Sequence, residues 1–108
     1  MKMITAIVNK KDAGDVCRAL RKSNFVFTKM ASTGGFLSTG NTTLLIGTGD
    51  ERVEEAIELV RRNSAKRSEP LPSVYAGEST AILNPYPTEV VVGGAVVFVT
   101  DVCRFEKM

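Results

Sequence analysis

The run Glu89–Asp101, EVVVGGAVVFVTD, constrains the fold more than any other stretch, because valines crowd both sides of a Gly93-Gly94 pair. β-Branched residues at this density are stiff at χ1 and favour a pleated backbone over a helix. Adjacent glycines accept positive φ, so the pair predicts a two-residue hairpin turn. The apolar part, Val90–Val99, is too short and too interrupted to cross a bilayer as a helix. Ala95–Val99 is apolar at successive positions and therefore on both faces. Such a strand must be covered on both sides, by the chain's own helices or by another subunit.

Upstream, the hydrophobic period changes from two to 3.6 and back. MKMITAIVNK alternates partially and reads as an opening strand. From Asp12, a candidate N-cap, Ala13, Val16, Cys17 and Leu20 follow the spacing of one helix face, and Ser23 or Asn24 ends the helix. FVFTKMAS then reads as a strand with Phe25, Phe27 and Lys29 on one side and Val26, Thr28 and Met30 on the other. TTLLIGTG is its antiparallel partner, and Gly47 within it marks a bulge or a close approach by a ligand or another backbone. A second helix carries Val53, Ala56, Ile57 and Val60 on one face, with Thr48 or Asp50 as cap. Its acidic start and basic end complement the helix dipole. Ala65–Pro87 holds all four prolines and reads as a long loop.

The order strand, helix, strand, strand, helix, strand, with a hairpin arm before the last strand, is the split βαβ pattern of an α+β, ferredoxin-like fold. At 108 residues the expectation is one domain, 1–108, with two helices on one sheet face. The other face then needs a partner, supplied by a cyclic trimer or a dimer.

Composition narrows the function. There is no histidine, hence no histidine general base and no histidine metal ligand. No Walker-type GxxxxGK[ST] run occurs, and Cys17 and Cys103 have no CxxC partner, so neither a metal site nor a disulfide framework is expected. Cys17 reads as a buried helix residue. A net charge of +2 disfavours binding to duplex nucleic acid. The opening residues lack the apolar core and cleavage site of a signal peptide, so the expected location is cytoplasmic without membrane insertion. The expectation is a protein that is not an enzyme.

The densest set of recognition groups is Thr33–Thr43, TGGFLSTGNTT. Gly34 and Gly35 can turn backbone N–H groups into an anion nest, and Thr28, Thr33 and Thr42 offer hydroxyls. Phe36 and Leu37 can sandwich a flat ring, and the Asn41 amide can read the edge of adenine. Together these suit a purine nucleotide. The same residues could instead plug a gap between subunits, with the glycines serving the turn.

TKMASTGGFLSTGNTTLLIG, YPTEVVVGGAVVFVTDV and the opening MKMITAIV closely resemble the PII-like cyclic di-AMP receptors along essentially the whole chain. The resemblance implies a homotrimer of ferredoxin-like subunits that binds cyclic di-AMP in clefts between neighbours and signals to a downstream protein, without known catalytic activity. It implies that Thr28, Gly35, Phe36, Leu37, Asn41 and Gly47 line the pocket and that the Gly93-Gly94 turn approaches the same cleft. Position 26 is basic in such receptors, whereas this chain has Val26. Losing a charge-assisted contact there costs about 1.5–3 kcal/mol, or roughly one to two powers of ten in affinity. The tail CRFEKM also departs from the family's usual ending. The alternatives are an ATP-binding nitrogen-regulatory PII-type protein, disfavoured by the short loop between the second and third strands, or a ligand-free structural trimer.

Overall fold

The computed structural model describes residues 1–32, 40–70 and 89–108. The chain runs β1 (Lys2–Asn9), α1 (Ala13–Lys22), β2 (Val26–Ser32), β3 (Asn41–Thr48), a single 3-10 turn (Asp50–Arg52), α2 (Val53–Asn63), β4 (Arg67–Pro70), β5 (Glu89–Val92) and β6 (Ala95–Asp101). The main sheet is antiparallel, in the order β2-β3-β1-β6. With two helices on one side, this mixed α+β arrangement is compatible with the expected ferredoxin-like fold. A separate ladder pairs β4 with β5.

Period-two alternation in the central strands decides which face is dry. Ile4, Ala6 and Val8 of β1 and Leu44 and Ile46 of β3 point to one side and are fully buried. Ala13, Val16, Cys17 and Leu20 of α1 and Ala56 and Val60 of α2 close over them. Full burial of each larger aliphatic side chain contributes about 1.5–3 kcal/mol. Cys17 is a core hydrophobe, as expected.

The end of α1 is a Schellman motif. Asn24 takes φ 64°, its N–H donates to the Arg21 carbonyl at 3.0 Å, and the Phe25 N–H donates to the Leu20 carbonyl at 2.9 Å. Phe25 and Leu20 meet in the core, the apolar contact that accompanies this cap. Arg52 reinforces the junction, with its guanidinium 4.0 Å from the Phe25 ring centre and a 2.7 Å hydrogen bond to the Ser23 carbonyl.

Other local expectations change. Asp12 occupies the N-cap position without a side-chain capping bond, because its carboxylate accepts two hydrogen bonds from Arg67, at 2.8 and 3.2 Å. Thr48 belongs to β3, and Asp50 does not cap α2 but opens the 3-10 turn and pairs with the Met1 ammonium at 2.9 Å. The segment read as a long loop from Ala65 begins with strand β4; residues 71–87 lie outside the described residues.

Gly93-Gly94 is not a hairpin turn between paired strands. Among the described residues β5 pairs with β4 and β6 with β1, so the glycines carry the chain from the small ladder into the main sheet. Both have positive φ, 87° and 84°. A Cβ on Gly93 would stand 2.5 Å from the Ala65 carbonyl oxygen, and the Gly94 N–H donates to the Ser64 carbonyl. Backbone crossing backbone is what requires glycine here.

Candidate functional site

The sheet face opposite the helices carries the candidate site. Val26, Thr28 and Met30 of β2 stand across from Gly47, Leu45 and Thr43 of β3, and Met3, Thr5 and Ile7 of β1 continue the face. Val26 is 80% exposed and Phe98 of β6 is 45% exposed. The two sides read from the alternation in FVFTKMAS are as expected: Phe25 and Phe27 turn to the core, Val26 and Thr28 away from it. The expectation that β6 is covered on both sides is not met within one chain, since only Val97 packs on the core while Val99 remains 41% exposed.

At one end of this face a concavity of about 440 Å³ joins Val26, Thr28 and Gly47 with Met1, Met3 and Leu45. That volume lies within the ~300–1,000 Å³ of small-molecule sites. Gly47 sits in unbroken register between Met3 and Val26, so it is not a bulge. What comes close is the Met1 side chain: a Cβ on Gly47 would touch its Cε at 3.4 Å. Gly47 itself adds no side chain, so the flexible end of Met1 is what a flat ring approaching that backbone would displace.

Three further wall residues, Val102, Phe105 and Lys107, come from the chain segment after β6. The Val102 N–H donates to the Met1 carbonyl at 3.1 Å, which holds that segment against the N-terminal strand. The Lys2 ammonium meets Asp101 beside it, and this contact raises the Lys2 pKa above its ordinary value. Nothing in the sequence pattern ties Phe105 or Lys107 to residues near position 26; that proximity arises only from sheet pairing.

Asn41 lies elsewhere. It is six positions from Gly47 on β3, about 20 Å at a rise of ~3.4 Å per residue. There it is 6% exposed, opposite Asn9 and Ser32. The Ser32 and Thr43 hydroxyls share a hydrogen bond at 2.8 Å at this end. Thr42, counted among the hydroxyls for a ligand, is buried and on the helical side, because alternation turns it away from Thr43. Gly94 borders a second concavity of about 360 Å³, between the end of α2 and the start of β6, with Arg61, Ser64 and Lys66. Gly93 adjoins it in sequence and crosses Ala65.

One chain therefore brings Val26, Thr28 and Gly47 together and keeps Asn41, Gly93 and Gly94 at the other end of the sheet. Gly35, Phe36 and Leu37 lie outside the described residues. Among the described residues no group of three or more metal-ligating side chains occurs, and no helix is long and apolar enough to cross a membrane.

Over residues 1–108 the sequence matches the family model described as cyclic-di-AMP receptor. Among solved structures, the chain is similar to a functionally unknown protein from Pediococcus pentosaceus. The two share 37% identity over 99% of this chain and 96% of that one, with a TM-score of 0.78.

Proposed function

The chain belongs to the cyclic-di-AMP receptor family, and from that premise we propose that it binds cyclic di-AMP in clefts between neighbouring subunits of a PII-like homotrimer. Ligand state passes through the loops to a downstream protein. The observation that carries the reading is the concavity at Val26, Thr28 and Gly47, an apolar slot with one hydroxyl and an open glycine backbone. Such a slot suits a purine ring and leaves phosphates toward its rim.

Assembly supplies what one chain lacks. The uncovered sheet face presents Val26, Met30 and Phe98 to solvent, and burial against further copies removes that apolar surface from water. A cleft closed by a neighbour brings the Asn41 and Gly93-Gly94 end of one subunit toward the Val26 end of the next. Gly35, Phe36 and Leu37 complete this proposed pocket as backbone donor and ring walls. Receptor action then needs no catalytic group, consistent with a chain that has no histidine.

Calorimetric titration with cyclic di-AMP, cyclic di-GMP and ATP tests the ligand, and sedimentation equilibrium tests the assembly. The expected result is heat with cyclic di-AMP alone, at one ligand per subunit, on a particle of three chains. Absence of both heat and thermal shift at high micromolar cyclic di-AMP would sink the reading.

A further inference from the structure

Resting on the receptor reading above, we propose that the tail after β6 is a working wall of the ligand site, with Phe105 as a ring-stacking surface and Lys107 as the cation that meets a ligand phosphate. Phe105 is 61% exposed, an unusual placement for a large aromatic, and its ring borders the same concavity as Val26, Thr28 and Gly47. Among the described residues lining that concavity, Lys107 contributes the only charged side chain. The Met1 ammonium at its edge is engaged by Asp50, and the adjacent Glu106 is engaged by Arg104 at 3.1 Å rather than by Lys107. A dinucleotide with two phosphodiester anions entering this slot meets, besides the Met1 ammonium already paired with Asp50, one positive charge among the described residues, and it comes from the tail.

The tail is a wall and not a plug. With Phe105 and Lys107 in place the concavity retains about 440 Å³, within the ~300–1,000 Å³ of ligand sites. Its start is fixed by the Val102 to Met1 hydrogen bond and the Lys2 to Asp101 ion pair, so the two side chains stand over the slot without contributing to the core. Aromatic stacking tolerates any base, whereas the ammonium adds an attraction that salt weakens.

Titrating the full chain and its Phe105→Ala, Lys107→Ala and Lys107→Arg variants with cyclic di-AMP at low and high salt tests this. Phe105→Ala is expected to weaken binding by about tenfold or more. Lys107→Ala is expected to weaken it by roughly fivefold to twentyfold and to flatten the salt dependence, while Lys107→Arg restores both. All three should melt with the parent chain, because both side chains are exposed. Variants that bind as tightly as the parent overturn the tail assignment and leave the receptor reading intact; variants that bind more tightly show an obstruction and overturn it too. A parent chain that binds no cyclic di-AMP overturns the receptor reading and this inference together.

Discussion

The two ends of the open sheet face differ in chemistry as much as in position. One end is an apolar slot bounded by Val26, Leu45, Met3 and the bare backbone of Gly47; the other gathers the Asn9 and Asn41 amides with the bonded hydroxyls of Ser32 and Thr43. The first offers shape and apolar contact, which by themselves do not distinguish adenine from guanine. The second carries amides of the kind that could read a base edge, and Asn41 is about 20 Å from Gly47 along the same strand. Under the proposed reading, one chain separates the groups that would hold a ring from those that would select it, and assembly of subunits would let one ligand meet both.

Breaking the apolar end should have the largest effect. Gly47→Val puts a branched side chain into the slot and should weaken cyclic di-AMP binding by about 100-fold or more, with the fold retained because Gly47 lies on the solvent-facing side. Calorimetry alongside a melting curve checks it; unchanged affinity would move the ligand off this end. Val26→Arg works in the opposite direction, adding a cation beside Thr28 on the same face of β2 and opposite Gly47, and should tighten binding by roughly ten- to a hundredfold at low salt. At the polar end, Asn41→Ala should cost about tenfold in cyclic di-AMP affinity and narrow the preference over cyclic di-GMP, a change of selectivity that Gly47→Val does not produce. Competition between the two dinucleotides reads that difference directly.

Two smaller effects sharpen the boundary between the main sheet and the β4–β5 ladder. Gly93→Ala places a methyl against the Ala65 carbonyl at positive φ and should destabilise the protein by about 1–3 kcal/mol in urea unfolding. Glu69 provides the weakest handle. Its hydrogen bond from Lys11, helped by Arg67, holds its carboxyl below the usual carboxylate range. Because the folded pKa is the depressed one, its contribution is complete above the unfolded value of about 4.3 and is lost as pH falls through the folded value. A Glu69→Gln comparison should therefore show a melting difference of about 2 °C or less near neutrality that vanishes at acid pH.

What could be read from the sequence is what short-range pattern encodes. The α1 face of Ala13, Val16, Cys17 and Leu20 and the two sides of β2 follow from spacing alone, since each is set by residues within a turn or two. Pairing choices are not local. The Gly93-Gly94 turn suggested that β5 and β6 lie together, but β5 is taken by Arg67–Pro70, a polar strand with no apolar alternation to announce it. Caps went astray for the same reason: Asp12 is drawn to Arg67 and Asp50 to the Met1 ammonium, partners distant in sequence. Val26, Thr28 and Gly47 share a concavity because they lie on one face of paired strands, which alternation makes readable, whereas Phe105 and Lys107 border the same concavity only through the β1–β6 pairing.

The left-handed residue Asn24 also has a kinetic consequence. The hydrogen bonds donated by the Asn24 and Phe25 N–H groups close loops of a few residues, so the chain reverses out of α1 with little loop-closure entropy. Among the described residues β2 is an edge strand, bonded on one side only by β3, yet its departure from α1 is set by the helix end before it. The edge that carries Val26 and Thr28 can thus be aimed early, and β3 has only to dock on a strand already pointing the right way.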